Sequence, residues 1–261
     1  MIDTHCHLDY LEDATAALER ARGVGLKGFV LPAVGPENFE RVRALAHSHP
    51  DVGYALGIHP CSVDRLGDGA LAMLEDALTA HADDPRLVAV GEIGLDHFVP
   101  HLNKSLMEEL FHQQLRLARA FELPVILHVR RAQDLVLRGL RRFGIRRGIA
   151  HAFNGSFDQA RAFTSLGLRL GFGGAMTFSR AHQIHRLASG LPLEDLVLET
   201  DSPDITPSWM PKGSANQPSQ IPGIADYLAR LRSCKTDDIV RVTSSNACAS
   251  LPKLAALLAS H

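Results

Sequence analysis

Residues 87–129, LVAVGEIGLDHFVPHLNKSLMEELFHQQLRLARAFELPVILHV, hold the pattern on which the fold turns. Two apolar β-rich runs, 87–93 and 124–129, flank a segment, 104–121, in which Leu106, Leu110, Leu117 and Phe121 share a helical face among charged neighbours. Strand, helix and strand with no hairpin signal between them make a crossover unit, so the two strands run parallel.

The same alternation extends in both directions. Further β-rich runs occupy 1–5, 28–34, 53–58, 148–152, 168–172 and 196–200, giving eight with helical segments between them; one such segment, 156–166, opens on a Ser at a cap position. Eight units in about 250 residues argue for an α/β fold closed into a (β/α)8 TIM barrel rather than an open doubly wound sheet. No G-x-G-x-x-G or G-x-x-x-x-G-K-[ST] opens a helix, so the phosphate-loop forms of the open sheet lack support. With no compositional break, residues 1–261 read as a single barrel domain. The stretch 201–223, DSPDITPSWMPKGSANQPSQIPG, is too rich in Pro, Ser and Gly for regular structure. Following the eighth run, it would lie over the C-terminal mouth, where active sites in this fold sit. Helices near 223–232, 237–248 and 250–259 would complete the outer ring.

Composition narrows the function classes. Hydrophobic residues make up 46% of the chain and no apolar run approaches the roughly 18 residues of a membrane span, so no membrane partner is expected. Met1 leads straight into the first β-run without a secretory pattern, and a cytoplasmic location is the expectation. Cys6, Cys61, Cys234 and Cys248 are widely and irregularly spaced, as reduced thiols would be. A net charge of −2 gives no global basic field for nonspecific duplex binding, although a short or frayed nucleic acid remains compatible with it. In the Arg-rich run 130–147, only Arg130 and Arg131 would lie at the active mouth. A monomer or weak oligomer is expected.

Of the 14 His, five (His5, His7, His59, His128 and His151) fall at or just beyond the ends of the β-runs. His5 and His7 alternate with Cys6, so on a strand they would face one way, about 6.6 Å apart along it. Glu92 and Asp201 end two other runs. Singly, each has an ordinary structural explanation: His128 or His151 as a core imidazole on a carbonyl, Glu92 as a rim ion pair, Asp201 as a turn initiator. Jointly, His5, His7, Glu92, His128, His151 and Asp201, six such groups at one end of one barrel, point to a metal centre, because buried carboxylates need a cation and imidazoles are natural company for it. Six ligands exceed one tetrahedral site, and one carboxylate can bridge two metals. The expected arrangement is His5, His7 and Asp201 on one ion, His128 and His151 on the other, with Glu92 spanning both.

The ordered motifs IDTHCHLD, GIHP, VGEIGLD, LPVILHVRR, HAFNGS and LETDSPD resemble the TatD family of metal-dependent deoxyribonucleases, in particular its YjjV-type branch. The resemblance covers nearly the whole chain. It implies the same six ligands, two divalent ions (Mg²⁺, Mn²⁺ or Zn²⁺) and 3′→5′ exonuclease action on DNA or another phosphodiester. The chain departs from common family patterns at His97 and Phe98, where some relatives carry an aromatic pair, and at Asp204, where many have Tyr; these positions line the substrate side. In a two-metal hydrolysis Asp201 is the expected proton acceptor and Glu92 the bridge, both counted as catalytic. Arg130 and His59 would face the phosphate, and Glu199, two residues before Asp201, would hydrogen-bond a ligand His. Metal-dependent amide or ester hydrolysis is the alternative, and a noncatalytic metal-binding barrel a third reading.

Overall fold

In a computed structural model that describes residues 1–67 and 69–260, the β-runs form one eight-stranded parallel sheet in sequential order. The strands are β1 Ile2–Asp3, β2 Gly28–Pro32, β3 Val52–Leu56, β4 Leu87–Asp96, β5 Val125–Arg130, β6 Gly148–Ala150, β7 Leu168–Phe172 and β8 Leu196–Leu198. Around them lie α1 Ala14–Gly23, α2 Phe39–His47, α3 Ala70–Ala80, α4 Lys104–Ala120, α5 Gln133–Phe143, α6 Phe157–Ser165, α7 His182–Gly190, α8 Ile221–Arg232, α9 Thr236–Ser250 and α10 Pro252–Ala259. Bonds from Thr4 N to Leu198 O (3.1 Å) and from Asp201 N to His5 O (2.9 Å), with a parallel bridge between Cys6 and Ser202, bring the last strand back to the first. The expected (β/α)8 barrel is therefore the observed fold.

Ile2, Val30, Ala55, Val88, Ile126, Ile149 and Val197 gather into an apolar floor, joined from outside by Leu251, Leu254 and Leu257. The helix α10 and the residues leading into it thus seal the N-terminal end of the barrel. The opposite end is polar for a periodic reason. Ile126, Ile149 and Val197 belong to the floor; two residues further on their strands come His128, His151 and Glu199, on the same side of the sheet but one layer nearer the mouth.

Several strands stop earlier than their sequence runs suggest. β1 ends at Asp3, β6 at Ala150 and β8 at Leu198, and the residues beyond leave the ladder to turn side chains into the mouth. Ala152 (φ 43°) and Asp201 (φ 54°) both adopt left-handed backbone there, a conformation non-glycine residues hold mostly where surrounding structure enforces it. β4, by contrast, runs on to Asp96, and its pairing with β5 jumps from Val90–Val125 to Ile93–Leu127. Three steps on β4 match two on β5, so Gly91 and Glu92 form a bulge, the usual device for re-aiming a side chain.

On α4 the buried residues are Met107, Phe111, Gln114, Leu115, Leu117 and Ala118; of the predicted face Leu117 is buried and Leu110 packs against the core, while Leu106 is 37% exposed. The polar Gln114 belongs there because its amide closes both backbone groups of Ile58, accepting from the N–H (2.7 Å) and donating to the carbonyl (3.1 Å). The segment 201–223 is irregular up to a short 3-10 turn at Pro218–Gln220, but α8 already begins at Ile221. Pro222 lies in its first turn, where no backbone donor is needed.

Candidate metal centre

The mouth is a cleft of about 940 Å³ whose floor is made by His7, His59, Glu92, His128, His151 and Asp201. Six side chains from β1, β3, β4, β5, β6 and β8 or the residues just after them, which are far apart in sequence, thus converge. His5 is fully buried beneath them.

Glu92 is at the centre, and its two oxygens face different neighbours. Oε2 lies 3.1 Å from His5 Nε2 and 3.5 Å from His7 Nε2. Oε1 lies 3.1 Å from His128 Nδ1, 3.2 Å from His151 Nε2 and 3.4 Å from His59 Nε2. Asp201 Oδ1 completes the first set, 3.5 Å from His5 Nε2 and 3.6 Å from His7 Nε2, and the two imidazole nitrogens are 3.1 Å apart.

These separations fit a cation. Four ligands at about 2.1 Å from one ion stand roughly 3.4 Å apart in a tetrahedron, with right-angled edges near 3.0 Å, and every distance within the first set lies in or close to that range. The protonation pattern agrees for His7, whose Nδ1 lies 3.2 Å from the Pro32 carbonyl and must donate to it, leaving the Nε2 lone pair facing the cluster. His128 Nδ1 and His151 Nε2, the two rings expected on one ion, both lie against Glu92 Oε1. Groups close enough to share an ion are His5, His7 and Asp201; His5, Glu92 and His151; and His59, Glu92 and His128. His151 stacks on His5 with ring centroids 3.9 Å apart, whereas His128 lies against His59 on the far side of Glu92.

The charges of the site are set by burial and by one another. Burial alone would raise the Glu92 carboxyl, but the imidazoles of His59, His5 and His151 outweigh it and hold the group well below the usual carboxylate range. Burial keeps the His5 ring well below its ordinary value, helped by neighbouring His151. In His151 the effect of burial is overcome by Glu92, Asp201 and Glu199, and the ring is raised well above the ordinary value. Burial pushes Asp201 up to about 6 against the pull of His151 and His7.

The remaining sequence candidates lie around this core. Glu199 is buried; its Oε1 accepts from Ala152 N at 2.5 Å and lies 3.4 Å from His151 Nδ1, beside the ring but without the hydrogen bond expected there. Gly171 makes room for it, since a Cβ there would overlap the Glu199 carboxylate. Arg130 is half exposed on the cleft rim, its guanidinium carbon 3.7 Å above the Phe98 ring, and that of Arg131 is 4.7 Å from the same ring. Asp204 is exposed on the opposite wall, beside Pro203 and Ile205.

Two buried acids were not singled out from sequence. Asp96 Oδ2 accepts from His128 Nε2 at 3.0 Å, while its Oδ1 takes the N–H groups of Phe98 (2.8 Å) and Val99 (3.1 Å). Asp3 accepts from Thr200 Oγ1 (2.6 Å), Thr200 N (3.0 Å) and His5 N (3.3 Å), and burial pushes its carboxyl up to about 8. The available signal for Asp96 was its even spacing from Glu92, visible only once β4 is carried past residue 93. For Asp3 it was an acid inside an apolar strand.

The family model described as TatD related DNase matches residues 2–251. The chain belongs to the TatD family. It is 39% identical over 249 residues to YjjV of Escherichia coli K12, an uncharacterized metal-dependent hydrolase, covering 94% of this chain and 95% of that protein. A Haemophilus influenzae protein of the same description is 35% identical over 260 residues, covering 94% and 97%. The crystal structure of YjjV, a TatD homolog, superposes with a TM-score of 0.92 at 38% identity, covering 97% of this chain and 98% of that one. A TatD family hydrolase from Entamoeba histolytica, at 20% identity, shares the fold with a TM-score of 0.84, covering 96% and 97%. As a TatD member the chain is a metal-dependent hydrolase, and its donor set suits divalent ions. Among the described residues no helix is long and apolar enough to cross a membrane.

Proposed function

We propose that this TatD member is a phosphodiesterase acting on DNA, most readily on exposed single-stranded 3′ ends, with two divalent cations (Mg²⁺, Mn²⁺ or Zn²⁺) at the barrel mouth. The observation that carries the reading is the division of Glu92: its two oxygens face two sets of imidazoles, as a carboxylate bridging two ions must. His5, His7 and Asp201 would hold one ion and His128 the other, with His151 close to both sets. Bound there, the ions supply Lewis acidity to the attacked phosphoryl group and lower the pKa of water toward neutrality.

The chain's own residues do the rest. Glu92 keeps the two donor sets in register. Asp201, which lines the cleft beside His5 and His7, takes the proton of the attacking water. Arg130, braced on Phe98, meets the charge of the phosphate, and Arg131 extends the basic rim along the departing strand. His59 and Asp204 line the same cleft on the substrate side. Glu199 holds His151 in place from behind. The family description as a DNase supports a phosphodiester as the substrate.

The test is hydrolysis of single-stranded oligonucleotides, simple phosphodiesters and carboxyl esters by protein stripped with a chelator and reloaded, with Glu92→Ala alongside. Phosphodiester cleavage restored by Mg²⁺ or Mn²⁺ and absent in the variant is the expected result. Equal turnover by the variant would remove the proposed site. Cleavage of carboxyl esters alone would replace the nuclease reading with the amide or ester hydrolase.

A further inference from the structure

His59 lies within ligand distance of Glu92 and His128, and its proximity alone would make it a seventh metal ligand. Its hydrogen bonds argue otherwise. The backbone N–H of Cys61 donates to His59 Nδ1 at 3.1 Å, so that nitrogen presents a lone pair and the ring proton belongs on Nε2. Nε2 is the atom that faces the cluster, 3.1 Å from His128 Nδ1 and 3.4 Å from Glu92 Oε1. A ring with its proton on that atom cannot offer a lone pair to a cation there.

The neighbouring ring is wired in the same direction. Asp96 Oδ2 accepts at 3.0 Å from His128 Nε2, which places the His128 proton on that side and leaves its Nδ1 as the lone pair facing Glu92 and His59. One continuous chain of donation results: Cys61 N–H to His59 Nδ1, His59 Nε2–H to His128 Nδ1, His128 Nε2–H to Asp96. Each link has the tautomer the next link requires. Reversing His59 would set two donors, its own Nδ1–H and the Cys61 N–H, against each other.

The backbone that fixes this tautomer is itself fixed. Gln114 clamps both polar groups of Ile58, Pro60 follows His59 directly, and His59 N donates to Val34 O at 2.9 Å. The ring therefore cannot easily swing to present its other nitrogen.

We propose that His59 is a neutral hydrogen-bond donor to an anionic oxygen of the substrate, not a metal ligand, and that His128 is the ligand of the pair, through Nδ1. Once the His128 lone pair is used in coordination, His59 Nε2–H loses its acceptor within the protein's own chain of imidazoles. It then remains a positioned donor on the cleft floor, beside the place where a phosphoryl oxygen would be held. The identity of that oxygen rests on the phosphodiesterase reading above; the division into ligand and donor does not.

Mn²⁺ titration by calorimetry of wild type, His59→Ala, His59→Gln and His128→Ala tests the division without any turnover. The expected result is an unchanged number of ions and affinities within about threefold in both His59 variants, with one ion lost or its binding weakened 10–100-fold in His128→Ala. Inorganic phosphate binding to the Mn²⁺-loaded proteins should weaken about tenfold in His59→Ala, the loss of one hydrogen bond to a charged group, and recover partly in His59→Gln, whose amide restores a donor. Nitrogen NMR of Zn²⁺-loaded protein should find His59 protonated at Nε2. Loss of one Mn²⁺ equivalent in both His59 variants, or an unprotonated Nε2, would overturn the proposal, as would phosphate binding indifferent to His59→Ala. If the division holds and oligonucleotides are not cleaved, the substrate reading fails and the role of His59 as donor stands.

Discussion

Asp96→Asn should damage the site through a proton it never shares with substrate. Asp96 is 1% exposed and accepts three good hydrogen bonds, from His128 Nε2, Phe98 N and Val99 N. An Asn oxygen can keep the two backbone donors, which both reach Oδ1, but its amide then points at His128 Nε2–H, donor against donor. The ring relieves the conflict by moving its proton to Nδ1, and His59 Nε2–H, 3.1 Å from that nitrogen, turns to its other acceptor, Glu92 Oε1 at 3.4 Å. On Nδ1, 3.1 Å from Glu92 Oε1, the His128 proton gains a hydrogen bond to the carboxylate. The relaxed variant has thus spent both the His128 lone pair and one Glu92 oxygen on each other. Binding a cation requires breaking that charge-assisted bond, at about 1.5–3 kcal/mol, which converts to roughly 10–100-fold in affinity. Loss of a carboxylate behind a metal-binding imidazole has effects of about this size generally. Calorimetric titration of Mn²⁺ or Zn²⁺ into the stripped variant gives the affinity, and circular dichroism verifies that the barrel is intact. A variant that binds both cations within threefold of wild type would refute the tautomer argument, and with it the role given to Asp96.

Two further predictions concern stability away from the site. Leu254→Ala, fully buried in the floor, should cost about 2–5 kcal/mol and lower the melting temperature by roughly 2–4 °C for each kcal/mol, while cation affinity, set at the opposite end, stays unchanged in the folded protein. Asp84 accepts from His47 Nε2 (2.7 Å), Tyr54 Oη (2.8 Å) and Arg86 N (2.9 Å); burial would raise its carboxyl, but these donors, His47 foremost, hold it below the usual range. A depressed value means the stabilisation is present above the ordinary carboxylate range and is lost as pH falls through the folded value, so the difference in unfolding free energy between wild type and Asp84→Asn, measured in urea, should shrink from neutral pH to about pH 3.

How far the sequence reached depended on whether a feature was periodic or local. The barrel followed from alternation alone, since apolar β-runs separated by amphipathic segments leave few topologies open. His128, His151 and Asp201 were placed by the same logic, because each follows a run whose inward face is already defined by Ile126, Ile149 and Val197. The reading stopped where a single residue breaks the period. The bulge at Gly91–Glu92 lengthens β4 and hides the link between Glu92 and Asp96. The bend after Asp3 brings His5 Nε2 and His7 Nε2 to 3.1 Å, where a straight strand would have kept the rings further apart. On α4 Leu110 and Leu117 meet the core as their spacing predicts, but Leu106 is exposed and the helix turns Gln114 inward because Ile58 needs its amide. Hydropathy carries no information about such a bond. Nor does it carry the tautomer of His59, which depends on one backbone N–H two residues away.

The ladder joining the last strand to the first is short, and the nitrogen donors of His5 and His7 stand on one bank of that seam while Asp201 stands on the other. A cation held between them would act as a clasp across the join, so that filling the site and keeping the cylinder shut would strengthen one another. It also sets an order on biosynthesis. The two imidazoles follow the first strand and their carboxylate counterpart follows the eighth, so a nascent chain arrested before the eighth strand has half a clasp and nothing to fasten it to.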